Sequence, residues 1–151
     1  MKVIDVYYPS VVWVSVDEPL MTAVVRMRDY EVGALPVMEN GSMVGIVTEH
    51  DVLRAGAEAA RLGERRVRDF MTPDPVTVRL SDHVTDAAAL MSARRLRHLP
   101  VVEHDRPIGM VSARDLLSIL ADRRMRVSLR ALDRERRDAR GSCTGRAPPG
   151  S

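Results

Sequence analysis

Cysteine and aromatic residues are scarce in this sequence. The 151 residues include one cysteine, one tryptophan, one phenylalanine and three tyrosines. A single cysteine, Cys143, excludes an intramolecular disulfide and any metal site built from several cysteines. With so few aromatic side chains, a hydrophobic core must consist of valine, leucine, isoleucine, methionine and alanine.

Long apolar runs and catalytic motifs are also missing. No apolar run approaches the roughly 18 to 20 residues that cross a bilayer, and the opening MKVIDVYYPS lacks a signal-peptide pattern. The sequence contains no recognisable nucleophile–base pair, metal-binding motif or phosphate-binding loop. We therefore expect a cytoplasmic protein that is not an enzyme and holds no metal.

The charge is distributed unevenly along the chain. The formal net charge is +2, but residues 122–151 carry nine arginines against four acidic residues, which leaves −3 on residues 1–121. A basic tail can attract nucleic acid or a membrane surface. In RALDRERRDARG, however, acidic residues alternate with the arginines, a pattern typical of a solvated helix face with intrahelical ion pairs.

The sequence is an internal duplication. A shift of 64 places aligns residues 3–56 with 67–120 without a gap and gives 15 identities in 54 pairs, where chance would give about four. Paired segments include LPV at 35–37 with LPV at 99–101, and GIVTEHD at 45–51 with GMVSARD at 109–115.

Each repeat begins with a predicted strand and a predicted helix. The apolar segments VVWV and PVTV are predicted strands. The spacing of apolar residues then predicts helices over 17–31 and 81–95, with Asp17 and Ser81 as N-caps and Pro19 in a first turn.

A hairpin and a second helix complete each repeat. ALPVME and MVGIV are joined through Asn40–Gly41, a strong hairpin signal, which His104–Asp105 replaces in the second repeat. A helix over 49–63 follows, ending near Gly63. We predict an α/β (α+β) fold of two β-α-β-β-α units, which must pack together because about 50 residues cannot form a stable core alone.

These elements predict four segments. The first unit spans 1–63 and the second 64–122. Residues 123–140 form a basic, helical extension, and 141–151 a disordered tail rich in small and polar residues.

The repeated junction between strand and helix permits two interpretations. Thr48-x-x-Asp51 and Ser112-x-x-Asp115 both fit a capping box at a helix start. The same geometry suits a nucleotide, because helix N–H groups and a hydroxyl attract phosphate while a carboxylate can accept hydrogen bonds from a ribose diol. The local residues do not decide between cap and site.

The motifs GALPV…GIVTEHD, RHLPV…GMVSARD and RDFMTPDPVTV, in the order β-α-β-β-α, resemble a tandem pair of CBS domains, a Bateman module. The resemblance covers residues 1 to 122. It implies pseudo-two-fold packing, a homodimer, and two clefts that bind an adenosyl ligand such as AMP, ADP, ATP or S-adenosylmethionine. It also implies a regulatory role as a sensor, exerted on an effector protein that the sequence does not name.

Carried over residue by residue, the resemblance makes the two clefts unequal. The first cleft would combine Thr48, His50 and Asp51 with Arg97 and His98. Asp51 would bind the ribose, and Thr48, Arg97 and His98 would bind the phosphate. The second cleft, predicted to be weaker, would combine Ser112, Arg114 and Asp115 but face Gly33 and Ala34, which provide no cation. We therefore predict that the first cleft takes a phosphorylated nucleotide and that the second stays empty or takes a less charged adenosyl group.

Two further hypotheses remain open. One is a nucleic-acid-binding protein that uses the arginine-rich tail and the CBS pair as its dimeriser, although the tail has no aromatic residue for base stacking. The other is a dimerisation scaffold with empty clefts. We favour the regulatory module that binds an adenosyl ligand and signals by conformational change, with nucleic acid and membrane not among its partners.

Overall fold

The computed structural model describes residues 1–10, 12–58 and 62–122. The chain divides into two compact units, of which the first, Met1–Leu116, contains every strand named below, and the second begins at Leu117. The elements are β1 (Tyr8–Pro9), β2 (Val14–Ser15), α1 (Leu20–Tyr30), β3 (Ala34–Glu39), β4 (Ser42–Thr48), α2 (Glu49–Glu58), α3 (Val67–Phe70), β5 (Thr72–Pro73), α4 (Val84–Arg94), β6 (His98–Glu103) and β7 (Arg106–Ser112). Residues 113–122 are helical and are called α5.

The two repeats form two equivalent sheets. The first has the order β2-β3-β4-β5 and the second β1-β7-β6. In the first sheet, Val14 pairs in parallel with Val37. In the second, Val78 forms the matching parallel bridge with Val101. The predicted fold of two β-α-β-β-α units related by pseudo-two-fold symmetry is therefore confirmed.

The opening segment of each repeat joins the sheet of the other repeat. β5, which follows the start of the second repeat, pairs with β4 of the first. β1, at the start of the first repeat, pairs with β7 of the second. The cores follow the same exchange, because Val67 and Phe70 are buried in the core of the first sheet and Val3 in that of the second.

Both cores are aliphatic, as the composition predicts. Leu20, Leu35 and Val47 are fully buried in the first, and Leu99, Val101 and Val111 in the second. Methionine takes part through Met27 and Met91, which are equivalent positions in α1 and α4.

Both hairpin turns adopt the backbone conformation that the Asn40–Gly41 sequence predicts for the first turn. Asn40 and Gly41 have φ of 51° and 78°, and His104 and Asp105 have φ of 49° and 61°. Two successive positive φ values match a type I′ turn, whose twist suits antiparallel strands. The second turn therefore keeps the first turn's geometry although it has no glycine.

The predicted N-caps Asp17 and Ser81 are wrong. α1 begins at Leu20 and α4 at Val84, in both cases three residues after the predicted cap, and neither helix has a side-chain cap. The exchanged segments accept the first helical N–H groups instead: the Leu20 N–H donates to Arg65 C=O, and the Val84 N–H donates to Met1 C=O. At each helix start, a backbone carbonyl from a distant segment thus accepts a hydrogen bond that a local side chain was predicted to accept.

Other predicted boundaries also shift. The strand predicted over 75–78 contributes a single bridge at Val78, and the strand predicted over 11–14 begins only at Val14 among the described residues. The helix predicted to end near Gly63 is described to Glu58, and a 3-10 turn covers Leu62–Glu64. The predicted extension 123–140 and tail 141–151 lie outside the described residues.

In the described part of the chain, no helix combines the length and apolar character needed to cross a membrane.

Two glycines at equivalent positions permit the exchange of segments. A Cβ at Gly109 would lie 2.4 Å from the Tyr8 carbonyl oxygen and 2.6 Å from the Tyr7 ring. At Gly45 it would lie 2.7 Å from Met71 Sδ and 2.9 Å from the Thr72 carbonyl oxygen. The glycine that opens each copy of the repeated junction is therefore needed for close backbone approach.

We predict that Gly109→Ala lowers the free energy of unfolding by roughly 1 to 3 kcal/mol, because β1 must move away from β7. Urea denaturation monitored by circular dichroism measures the change. Gly56→Ala is the matched control, since a Cβ there meets nothing within 4 Å, and it should raise stability by about 0.5 to 1 kcal/mol in α2. Equal midpoints for Gly109→Ala and the wild type would contradict this account of the exchange.

Candidate functional site

A cavity of about 470 Å³ lies where the start of α2 faces the end of α4. From the first repeat, the lining includes Thr48, Glu49, His50 and Asp51. From the second repeat, it includes Arg95, Arg97 and His98. The segment 72–76, which follows α3, contributes Thr72, Asp74, Pro75 and Val76. All five residues predicted for the first cleft line this cavity. We call it the first cleft.

The start of α2 is built by the capping box. One carboxylate oxygen of Asp51, Oδ2, accepts hydrogen bonds from the Thr48 N–H at 2.9 Å and from the Thr48 hydroxyl at 3.0 Å. The Thr48 hydroxyl in turn accepts the Asp51 N–H at 3.4 Å. The capping interpretation of this junction is therefore correct in its geometry, and any ligand must bind to groups that the cap leaves available.

Two of the N–H groups at the start of α2, where the sequence predicts attraction of an anion, have partners inside the protein. The Glu49 N–H donates to Gly33 C=O at 3.0 Å, and the Asp51 N–H donates to Thr48. The helix start therefore offers fewer N–H groups to an anion than the sequence suggests.

The second oxygen of Asp51 lies beside Arg54, a residue that sequence reasoning missed. Asp51 is only 6% exposed, and it is the one charged residue classed as buried among those that the structure describes. Its Oδ1 lies 3.5 Å from the Arg54 guanidinium, which also donates to Phe70 C=O at 3.2 Å and lies 5.8 Å from the centroid of the Phe70 ring. The i, i+3 spacing on α2 was the available signal for this ion pair. Arg54 thus orients the carboxylate while the oxygen still has lone pairs to accept from a diol.

Two arginines provide the cationic wall. Arg95 directly follows α4 as its C-cap, with a φ of 55°, and Arg97 immediately precedes β6. The Arg97 carbonyl accepts the N–H of Ala113 at 2.8 Å, so its backbone is fixed to the second junction while its exposed side chain lines the first cleft. Arg95 is not among the residues predicted for the first cleft, but its side chain also lines it.

His98 lies between the two junctions. A Cβ added to Gly33 would lie 3.0 Å from His98 Nε2 and 3.3 Å from the carboxyl carbon of Glu49, so both side chains occupy the space that this glycine leaves. Burial lowers the pKa of His98, while the negative charges of Glu49 and Asp115 oppose the shift and Arg97 adds to it. The imidazole is therefore predominantly neutral near pH 7.

The second junction repeats the capping box without the cationic wall. Asp115 accepts from the Ser112 N–H at 3.2 Å and from the Ser112 hydroxyl at 2.6 Å, and its own N–H donates to that hydroxyl at 3.1 Å. Arg114, the third residue predicted for the second cleft, is exposed. The positions equivalent to Arg95 and Arg97, 64 residues earlier, are Glu31 and Gly33.

Among the described residues, no group of three or more His, Cys, Asp or Glu side chains is arranged to hold a metal ion. Their buried polar side-chain atoms all have hydrogen-bond partners.

Comparisons with known proteins agree with this architecture. The family model for the CBS domain matches residues 3–58 and 67–122. The protein YlbB of Bacillus subtilis is 32% identical over 117 residues, which cover 76% of this chain and 79% of YlbB. The crystal structure of the CBS-domain protein NE2398 is 32% identical, with a TM-score of 0.71, and covers 75% of this chain and 89% of that one.

A third relative was solved with a ligand. The CBS-pair protein CBSX2 of Arabidopsis thaliana, in complex with AMP, is 26% identical, with a TM-score of 0.67, and the match covers 80% of this chain and 97% of that one. The two family matches, together with the exchanged sheets and the repeated capping boxes, establish that the chain belongs to the CBS-domain family as a tandem pair of CBS domains.

Proposed function

We propose that the chain is a regulatory CBS pair that binds a phosphorylated adenine nucleotide in the first cleft and signals to an effector protein by changing shape. The observation that carries the proposal is the shared cavity, in which Asp51 and Thr48 face Arg97 and Arg95. A diol acceptor opposite two phosphate-binding guanidiniums is the chemistry that a nucleotide requires. The AMP complex of CBSX2 supports the same ligand class.

Each residue has a proposed role. Asp51 Oδ1 accepts hydrogen bonds from the ribose, and Arg54 keeps that oxygen in place. Arg95 and Arg97 bind phosphate, with His98 beside them, and His50 closes the exposed rim. Thr48 contributes its hydroxyl if the ligand draws the O–H away from Asp51.

The second cleft is proposed to stay empty or to take a less charged adenosyl group such as S-adenosylmethionine. Glu31 and Gly33 stand at the positions of the two arginines, so a polyphosphate would meet no matching cation there. Ser112 and Asp115 could still hold a ribose, and Arg114 could partly compensate at the rim.

Asp51→Ala tests the ribose role. We expect it to lower the free energy of unfolding by about 1 kcal/mol through loss of the cap and to abolish the rise in melting temperature that AMP or ATP gives the wild type. A nucleotide at 100 times its dissociation constant contributes about 2.7 kcal/mol, which differential scanning fluorimetry detects readily.

Asp115→Ala is the matched control for this experiment, because it removes the same capping bonds from the second junction. It should lose similar stability yet keep the nucleotide-induced shift. If no adenosyl ligand shifts the wild type, or if both variants retain the shift, the proposed site is wrong.

Arg97→Gln tests phosphate recognition. A charge-assisted hydrogen bond contributes about 1.5 to 3 kcal/mol, so the affinity for AMP and ATP should fall by roughly 10- to 100-fold while that for adenosine changes little. Arg94→Gln is the control, since Arg94 is the last residue of α4 and does not line the first cleft. Isothermal titration calorimetry measures the affinities, and an equal loss for adenosine would argue against a phosphate contact.

Native mass spectrometry of freshly purified protein tests two other parts of the proposal together. We expect a homodimer carrying a co-purified adenosyl compound, and a monomer without ligand would count against both. The nucleic-acid alternative depends on residues 123–140, which lie outside the described residues, so it stays a prediction.

A further inference from the structure

His98 is in a position to respond to charge in the first cleft. Its side chain lines the cleft and reaches across to Gly33 of the first repeat, where it and the Glu49 carboxyl group border the same space. Ala34, its equivalent in the first repeat, has no titratable group. The described residues therefore place one imidazole, without a counterpart, at the boundary between the two junctions.

The charges around His98 favour protonation of its imidazole when an anion enters the first cleft. The charged and titratable groups that face it or share its cavity are, by element, Glu49, His50 and Asp51 from α2, Asp115 from α5, Asp74 from the segment after β5, and Arg95 and Arg97 from the turn before β6. Within the first cleft, with both histidines neutral, three carboxylates stand against two guanidiniums, which gives a formal charge of −1. A phosphorylated ligand adds further negative charge to a lining that is already slightly acidic.

We propose that His98 takes up a proton when a phosphorylated ligand enters the first cleft, so that the affinity of this cleft for nucleotide increases as the pH falls. This inference rests on the proposed function and adds a regulation to it. In the empty protein, burial keeps the imidazole neutral near pH 7 because it lowers the pKa below the usual 6.5. A phosphate beside the ring favours the charged form and raises that pKa in the complex.

The sign of the effect follows from the two pKa values. At a pH well above both pKa values, His98 is neutral in the free and in the bound protein, and the affinity does not depend on its titration. As the pH falls through the higher pKa of the complex, binding takes up a proton and becomes tighter. Below the lower pKa of the free protein the dependence ends. Between the two values, affinity changes by at most about tenfold per pH unit.

Calorimetry of the full chain with AMP tests the proposal. Titrations between pH 5.5 and 8, in buffers of different ionisation enthalpy, give both the affinity and the number of protons taken up. The phosphate group of AMP titrates in the same range, with a pKa of about 6, and it does so in every variant as well. The measured quantity is therefore the difference between wild type and His98→Gln. We expect the wild type to take up more protons on binding than His98→Gln does, by at most one per AMP near the maximum.

Two further variants test whether His98 is the residue that takes up the proton. His50→Gln removes the other histidine of the cleft, and loss of the extra proton in this variant rather than in His98→Gln would overturn the proposal. His104→Asn is the neutral control, because His104 lies in the exposed β6–β7 turn, and asparagine tolerates its positive φ.

An independent measurement avoids dependence on variants that fail to fold. Proton NMR of the His98 ring in the wild type, with and without AMP, should show a titration midpoint that rises on binding. An unchanged midpoint with measurable binding overturns the proton proposal and leaves the nucleotide site standing. Absence of AMP binding at every pH overturns both.

Discussion

The exchange of opening segments between the two sheets is the constraint on which the rest of the structure depends. β1 completes the second sheet and β5 the first, and both contacts require a glycine on the partner strand. The same segments provide the carbonyls that accept the first N–H groups of α1 and α4. Neither repeat therefore has a complete sheet or complete helix ends of its own, which explains why the sequence must contain the unit twice.

The exchange also forms the site. Because β5 is attached to β4, the residues that follow it pass beside the start of α2 and become one side of the first cleft. The pseudo-two-fold arrangement then brings the turn before β6 to the other side. The cleft is thus a consequence of how the repeats complete each other, and its chemistry depends on which side chains occupy the equivalent positions.

The sequence predicts well what depends on local pattern and on duplication. The order of elements, the turn at Asn40–Gly41 and both capping boxes follow from periodicity and short-range chemistry, and the predicted residues of the first cleft do lie together. What it does not predict depends on distant backbone. The helix starts were misplaced because carbonyls of Arg65 and Met1, not local side chains, meet the first N–H groups. Arg95 was not predicted for the site for a similar reason: α4 ends at a cavity that only the fold creates.

Duplication with unequal divergence explains how one fold can hold two different sites. The two capping boxes make the same hydrogen bonds because each fixes the start of a helix, a requirement that both repeats share. The facing wall is under no such requirement, and there the repeats differ, with Arg95 against Glu31 and Arg97 against Gly33. The missing side chain at Gly33 also leaves the space that His98 occupies. Gly33 therefore affects both clefts: it provides no cation to the second, and it makes room for the His98 ring in the first.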